Sequence, residues 1–155
     1  MRRAIILACS LLLMFSSTAC GEDGNEPESA SVPAQEESET MQMKVQAGDA
    51  TFFAALEENT AAKAFLELMK DAPVVLRMSD YSGFEKVGSL GISLPENDSQ
   101  TTAESGDIVL YNGNQIVIFY GTNSWSYTRL GKIDDLTGWT EALGTGDVTV
   151  TFSVN

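Results

Sequence analysis

Apolar and polar residues alternate along much of the chain beyond position 40. Met41, Met43, Val45 and Ala47 alternate with Gln42, Lys44 and Gln46, the period-two pattern of a half-buried strand. Gly48-Asp49 reads as a turn, and residues 51–56 as the returning strand. Val74, Leu76 and Met78 alternate with Val75, Arg77 and Ser79 in a third strand. Val148, Val150, Phe152 and Val154 alternate with Thr149, Thr151 and Ser153 in a closing one. Elsewhere the period changes. Ala61, Ala62, Phe65, Leu66 and Met69 recur at three- and four-residue spacing, so they share one face of a helix. Asn59 or Thr60 can cap its start, and Asp71-Ala72-Pro73 ends it. A second, short helix is predicted within 133–143, with Asp134 and Asp135 at its start and Gly144 at its end.

The stretch 107–132 organises the rest. Ile108-Val109-Leu110-Tyr111 and Ile116-Val117-Ile118-Phe119-Tyr120 flank Asn112-Gly113-Asn114. Asn-Gly between β-prone runs signals a hairpin, because a type I′ turn needs positive φ at both central residues. The second run has no polar alternation after Gln115, so it reads as a strand buried on both faces, inside a barrel and covered outside by a helix. The following loop, 121–126, presents Trp125, with Tyr127 and Arg129 after it. These aromatics either line a binding groove or close one end of the barrel.

Residues 79–106 are irregular, punctuated by Gly83, Gly88, Gly91 and Pro95. Tyr81, Phe84, Leu90, Ile92 and Leu94 make the region too apolar for disorder. One or two short strands are expected there, around Ile92, with a solvated tip over 96–105. Asn97-Asp98-Ser99 matches the N-glycosylation pattern, a motif that arises often by chance. Together these elements predict a mainly β domain over 41–155. It is a closed barrel of about eight strands with one longer and one short helix, closure removing the exposed edges.

The first forty residues have another character. Arg2 and Arg3 precede an apolar run, 4–15, and then Ser16-Ser17-Thr18-Ala19. Charged, apolar and small-residue segments in this order make a secretory signal peptide, 1–19, too short to span a membrane. Cys20 after Ser-Thr-Ala is the expected lipidation site, in the manner of a bacterial lipoprotein. Cys9 has too little apolar sequence before it. Residues 20–40 hold seven acidic residues and no basic one among Gly, Ser, Pro and Ala, the composition of a disordered linker. The expected address is extracytoplasmic, at a bacterial cell envelope, with the domain lipid-anchored to the membrane.

Charge and composition narrow the function. The net charge is −13 and there is no histidine. Beyond Arg3 the basic residues are scattered, which disfavours nucleic acid and a bare anionic membrane. Without histidine, and with both cysteines in the first twenty residues, the domain has no Ser-His or Cys-His nucleophile and no zinc site. No metal and no cofactor is expected. Asp134-Asp135 and Glu57-Glu58 could serve a carboxylate hydrolase, but adjacent acids at helix starts are ordinarily dipole-favourable surface residues.

The order of elements, with SDYSGFEKVG, SLPENDSQ, GDIVLYNGNQIVIFYG, SWSYTRLGKI and GDVTVTFSVN, resembles the bacterial cyclophilin-like domain family over 41–155. The resemblance implies a small closed β-barrel related to cyclophilin, and a fold does not fix an activity. Prolyl isomerases of this fold use an arginine beside an apolar pocket, in a Phe-His-Arg segment. Here the counterpart, 81–87, has no histidine and carries Lys86, a point charge without the planar fork. Arg77 or Arg129 could act from another position. The sequence therefore reads first as a binding or scaffold module for a peptide, protein or small ligand, monomeric and not catalytic. Peptidyl-prolyl isomerase is the alternative. Candidate groove residues are Tyr81, Phe84, Gln115, Phe119, Trp125, Tyr127 and Arg129.

Overall fold

A computed structural model describes residues 41–154. The expected signal peptide, lipidation site Cys20 and linker lie outside the described residues. Nine strands and two helices follow one another as β1 (Gln42–Ala47), β2 (Ala50–Leu56), α1 (Thr60–Asp71), β3 (Val74–Tyr81), β4 (Glu85–Ser89), β5 (Ser99–Ala103), β6 (Asp107–Tyr111), β7 (Gln115–Phe119), β8 (Asn123–Ile133), α2 (Trp139–Leu143) and β9 (Val148–Val154). The strands are ordered β2-β1-β9-β3-β4-β7-β6-β8-β5, and β8 also pairs with β2. That last pairing closes the ring, and every pairing is antiparallel. The mainly β barrel expected from the alternation is therefore present.

The seam between β2 and β8 depends on one glycine. Leu56 pairs with Gly131 there. A Cβ on Gly131 would fall 2.4 Å from the Ala55 carbonyl oxygen, so only glycine lets the two backbones approach. A bulge lies alongside. Ile108 pairs with Gly131 and Val109 with Arg129, which leaves Leu130 as the extra residue, fully buried in the core.

The barrel interior is filled by Met43, Val45, Met78, Ile108, Leu110, Ile116, Ile118, Val150 and Phe152, the inward members of alternating pairs. Helix α1 adds Ala61, Ala62, Phe65 and Met69 to the same cluster, with the Phe65 ring edge-on to Phe152. Asn59 is its cap: its side-chain oxygen accepts from the Ala62 amide at 2.8 Å, and its side-chain nitrogen donates to the Arg129 carbonyl. Helix α2 contributes Trp139, fully buried and edge-on to Phe52, with its indole N–H donating to the Phe119 carbonyl at 2.8 Å. At the β6–β7 turn Asn112 and Gly113 have φ of 49° and 66°, the backbone that Asn-Gly favours.

Four local expectations change. The second helix is only Trp139–Leu143, because Ile133 ends β8 and Asp134-Asp135 occupy the turn between. Ile92 lies in no strand and is exposed, while the supposed solvated tip contains β5. Trp125 stands on a strand rather than a loop: β8 begins at Asn123, and its first half pairs with β5. The run 116–119 is buried on both faces, but no helix covers its outer side. Val117 and Phe119 form a second apolar cluster with Val109, Ala103 of β5 and Tyr127 of β8. The β5–β8 ribbon does what a helix was expected to do.

Candidate functional site

Register places the site. Glu85 of β4 pairs with Phe119 of β7, and Val87 with Val117. Val117 in turn pairs with Val109 of β6, and Gln115 with Tyr111. Directly paired residues present their side chains on one face, so this set lines the outer face of the sheet. Lys86 falls in the opposite parity, paired with Ile118, and points inward.

On that outer face lies a cavity of about 360 Å³. Glu85 and Val87 come from β4, Tyr111 from β6, Gln115 and Val117 from β7. Tyr81 closes it from the end of β3, and Asn123, Trp125 and Tyr127 from alternate positions of β8. Tyr81 and Trp125 are 58% and 57% exposed, so they form the rim, while Tyr127, 4% exposed, is part of the floor. Tyr127 is held from several sides. Its ring is edge-on to Phe119 at 5.6 Å and to Tyr111 at 6.1 Å, and its hydroxyl accepts from the Asn123 side-chain amide at 2.9 Å.

One charged group lines the cavity. Glu85 is 6% exposed, and its Oε2 has no hydrogen-bond partner. Burial pushes its carboxyl up to about 7, since an ionised carboxylate is disfavoured away from water. The Tyr127 phenol is raised too, by burial first and then by the negative charge of Glu85. The hydrogen bond from Asn123 acts the other way. The phenol and the carboxyl therefore share one environment.

Of the residues singled out by sequence, Tyr81, Gln115, Trp125 and Tyr127 line the cavity. Phe84 does not, but its ring is edge-on to Tyr81 at 6.1 Å and supports the rim. Phe119 lies fully buried beneath the floor. Arg129 is turned to Asp107, 3.3 Å away, and donates to the Thr102 carbonyl. Tyr127 packs with Val109, Val117 and Phe119 in the second apolar cluster, whereas Trp139 belongs to the main core. The other cations considered for isomerisation are elsewhere. Arg77 is exposed and paired with Asp147, and Lys86 is 0% exposed inside the barrel. Asp134 takes a hydrogen bond from Gln42, and Asp135 from the Thr137 amide, which holds its carboxyl below the usual range. Sequence reasoning missed Glu85, Tyr111 and Asn123. Glu85 reaches the site through the pairing of β4 with β7 and Asn123 through that of β5 with β8, which no short-range pattern carries; Tyr111 faces Gln115 across the Asn-Gly hairpin. Among the described residues no group of three or more His, Cys, Asp or Glu could hold a metal ion.

A closed antiparallel barrel with a lateral aromatic cavity defines the class of protein. The chain belongs to the cyclophilin-like family, whose model matches residues 45–153. Its fold is similar to the solution structure of a hypothetical protein from Archaeoglobus fulgidus. The two are 16% identical with a TM-score of 0.54, over 75% of this chain and 95% of that one. None of the curated proteins matches the chain.

Proposed function

We propose that the chain is a cell-envelope lipoprotein whose cyclophilin-like barrel binds a ligand in the cavity between β4, β7 and β8. The single observation behind the binding reading is the pairing of two exposed aromatics, Tyr81 and Trp125, over an otherwise buried floor. Large aromatics left exposed at the edge of a cavity are more typical of a recognition surface than of a plain domain face. The binding reading is preferred to isomerase because Arg77, Lys86 and Arg129 all lie outside the cavity. The envelope address rests on the signal sequence and Cys20. Dual acylation at that cysteine would hold the domain stably, each buried CH₂ contributing about 0.8 kcal/mol.

The test is an amide NMR titration of the full chain in a non-ionic detergent, with a small-fragment set and an Xaa-Pro peptide. Shifts centred on Tyr111, Gln115, Asn123 and Trp125 are expected. Shifts confined to other surfaces, or none with any probe, would overturn the reading. Radiolabelled palmitate incorporation that survives Cys20→Ser would overturn the anchor.

A further inference from the structure

We infer that the cavity recognises a primary alkylammonium group, its charged nitrogen against the Glu85 carboxylate and its alkyl stem between the rings of Tyr111, Trp125 and Tyr127. This rests on the binding reading above and names the ligand chemistry.

Glu85 carries the argument. A buried carboxylate oxygen ordinarily has a donor, and Oε2 of Glu85 has none. No lysine or arginine lines the cavity to serve it. The only side-chain amides there are those of Gln115 and Asn123, and Asn123 already donates to Tyr127. A partner that brings both a positive charge and an N–H donor satisfies that oxygen and favours its ionised form. The walls favour the same partner, because aromatic faces attract cations and most strongly where water is excluded. The chain's net charge of −13 raises the local concentration of any cation.

Other cations fit less well. A quaternary ammonium has no N–H to offer Oε2. A hard divalent ion wants six to eight oxygen ligands, and this cavity has one carboxylate. The volume of about 360 Å³ admits a short alkyl chain. Such an ammonium could be a free amine or the end of a lysine side chain, and the chemistry is shared.

The experiment uses the full chain in a non-ionic detergent at pH 8, titrated with n-butylammonium, tetramethylammonium, n-butanol and Nα-acetyl-lysine amide. Amide shifts report affinity and place. The Glu85 carboxyl carbon reports its own ionisation. Butylammonium is expected to bind in the cavity, more tightly than tetramethylammonium or butanol. Glu85→Gln should weaken it about tenfold or more, the scale of a lost charged hydrogen bond. Bound amine should move the Glu85 titration below its free value of about 7. The acetyl-lysine amide binding more tightly than butylammonium would indicate a protein side chain as source. The reverse would indicate a free amine, and either supports the proposal. Butanol binding as well as butylammonium, with Glu85→Gln indifferent, would overturn the cation while leaving the cavity a binding site. No cavity shift with any probe would overturn both. If Glu85→Gln fails to fold, the comparison of butylammonium with butanol on the wild type still decides.

Discussion

The ammonium of Lys86 lies 2.8 Å from Oδ1 of Asp80, inside the barrel and cut off from solvent. The backbone carbonyls of Gly144 and Gly146 accept from it at 2.9 and 2.7 Å, so all three of its protons are used. The Tyr120 hydroxyl donates to the same Asp80 oxygen. The Tyr120 ring lies 5.2 Å from the ammonium. The connection from α2 to β9 is thereby tied to β3 and β4. The lysine that might have replaced a catalytic arginine is a structural strut.

This pair gives the first prediction. Asp80→Asn should lower Tm more than Lys86→Met, because it leaves a buried ammonium without its counter-charge, whereas Asp80 without Lys86 can still meet water. The double variant should lose less than the sum of the two, since both remove one interaction. Thermal unfolding of the three variants checks the order; additive losses would show that the pair is not coupled.

Acid should act through the same network. The hydrogen bond from Lys86, and then that from Tyr120, hold the Asp80 carboxyl below its usual value of 3.8. A carboxylate whose folded value is depressed contributes stability above its unfolded value. That stability is lost as pH falls through the lower folded one. Glu85 has the opposite sign. Folded, it keeps its proton to about pH 7, while its usual value is 4.5. Folding takes up a proton between those values, so stability falls as pH rises across the window. Glu85→Gln should therefore match the wild type in Tm near pH 5 and exceed it near pH 8. An unchanged difference across that range would mean that Glu85 titrates normally.

Closure of the barrel can be tested at Gly131. Its Cβ in Gly131→Ala would meet the Ala55 carbonyl at 2.4 Å, and the obstacle is backbone, which cannot swing away. Overpacking of this kind costs about 1–3 kcal/mol or more. Hydrogen exchange should accelerate first in β2 and the end of β8. Uniform acceleration across all strands would show that the seam is not the weak point.

Trp139→Ala should cost about 3–5 kcal/mol, the range for emptying a buried aromatic site. It removes the ring against Phe52 and the donor to the Phe119 carbonyl. A loss below about 1 kcal/mol by denaturant unfolding would place the ring outside the cooperative core.

Much of the fold was legible because alternation is local. Met43 and Val45, or Val150 and Phe152, show their inward face within a few residues, and Asn112-Gly113 announces its turn. The site was legible only in part. Tyr81, Gln115, Trp125 and Tyr127 stood out as aromatics or as a polar residue at the start of an apolar strand. Glu85 gave no such signal, because its burial comes from β7 pairing across about thirty residues of intervening chain. Trp125 reads locally as part of a loop over 121–126, whereas its pairing with Thr101 of β5, distant in sequence, makes it part of a strand.

Trp125 and Tyr127 lie on the same face of β8, yet they should respond differently to truncation. Trp125 is 57% exposed and belongs to neither apolar cluster, so Trp125→Ala should change stability by no more than about 0.5 kcal/mol. Tyr127 is wedged against Phe119 and Tyr111, so Tyr127→Ala should cost about 3 kcal/mol through the gap it leaves. Both variants should lose ligand, but only the first can be read as a binding defect, since its fold remains intact. Denaturant unfolding alongside the NMR titration separates the two effects. If Trp125→Ala keeps wild-type stability and wild-type cavity shifts with every probe that binds, the exposed indole is not part of the recognition surface. The rim would then reduce to Tyr81, propped by Phe84.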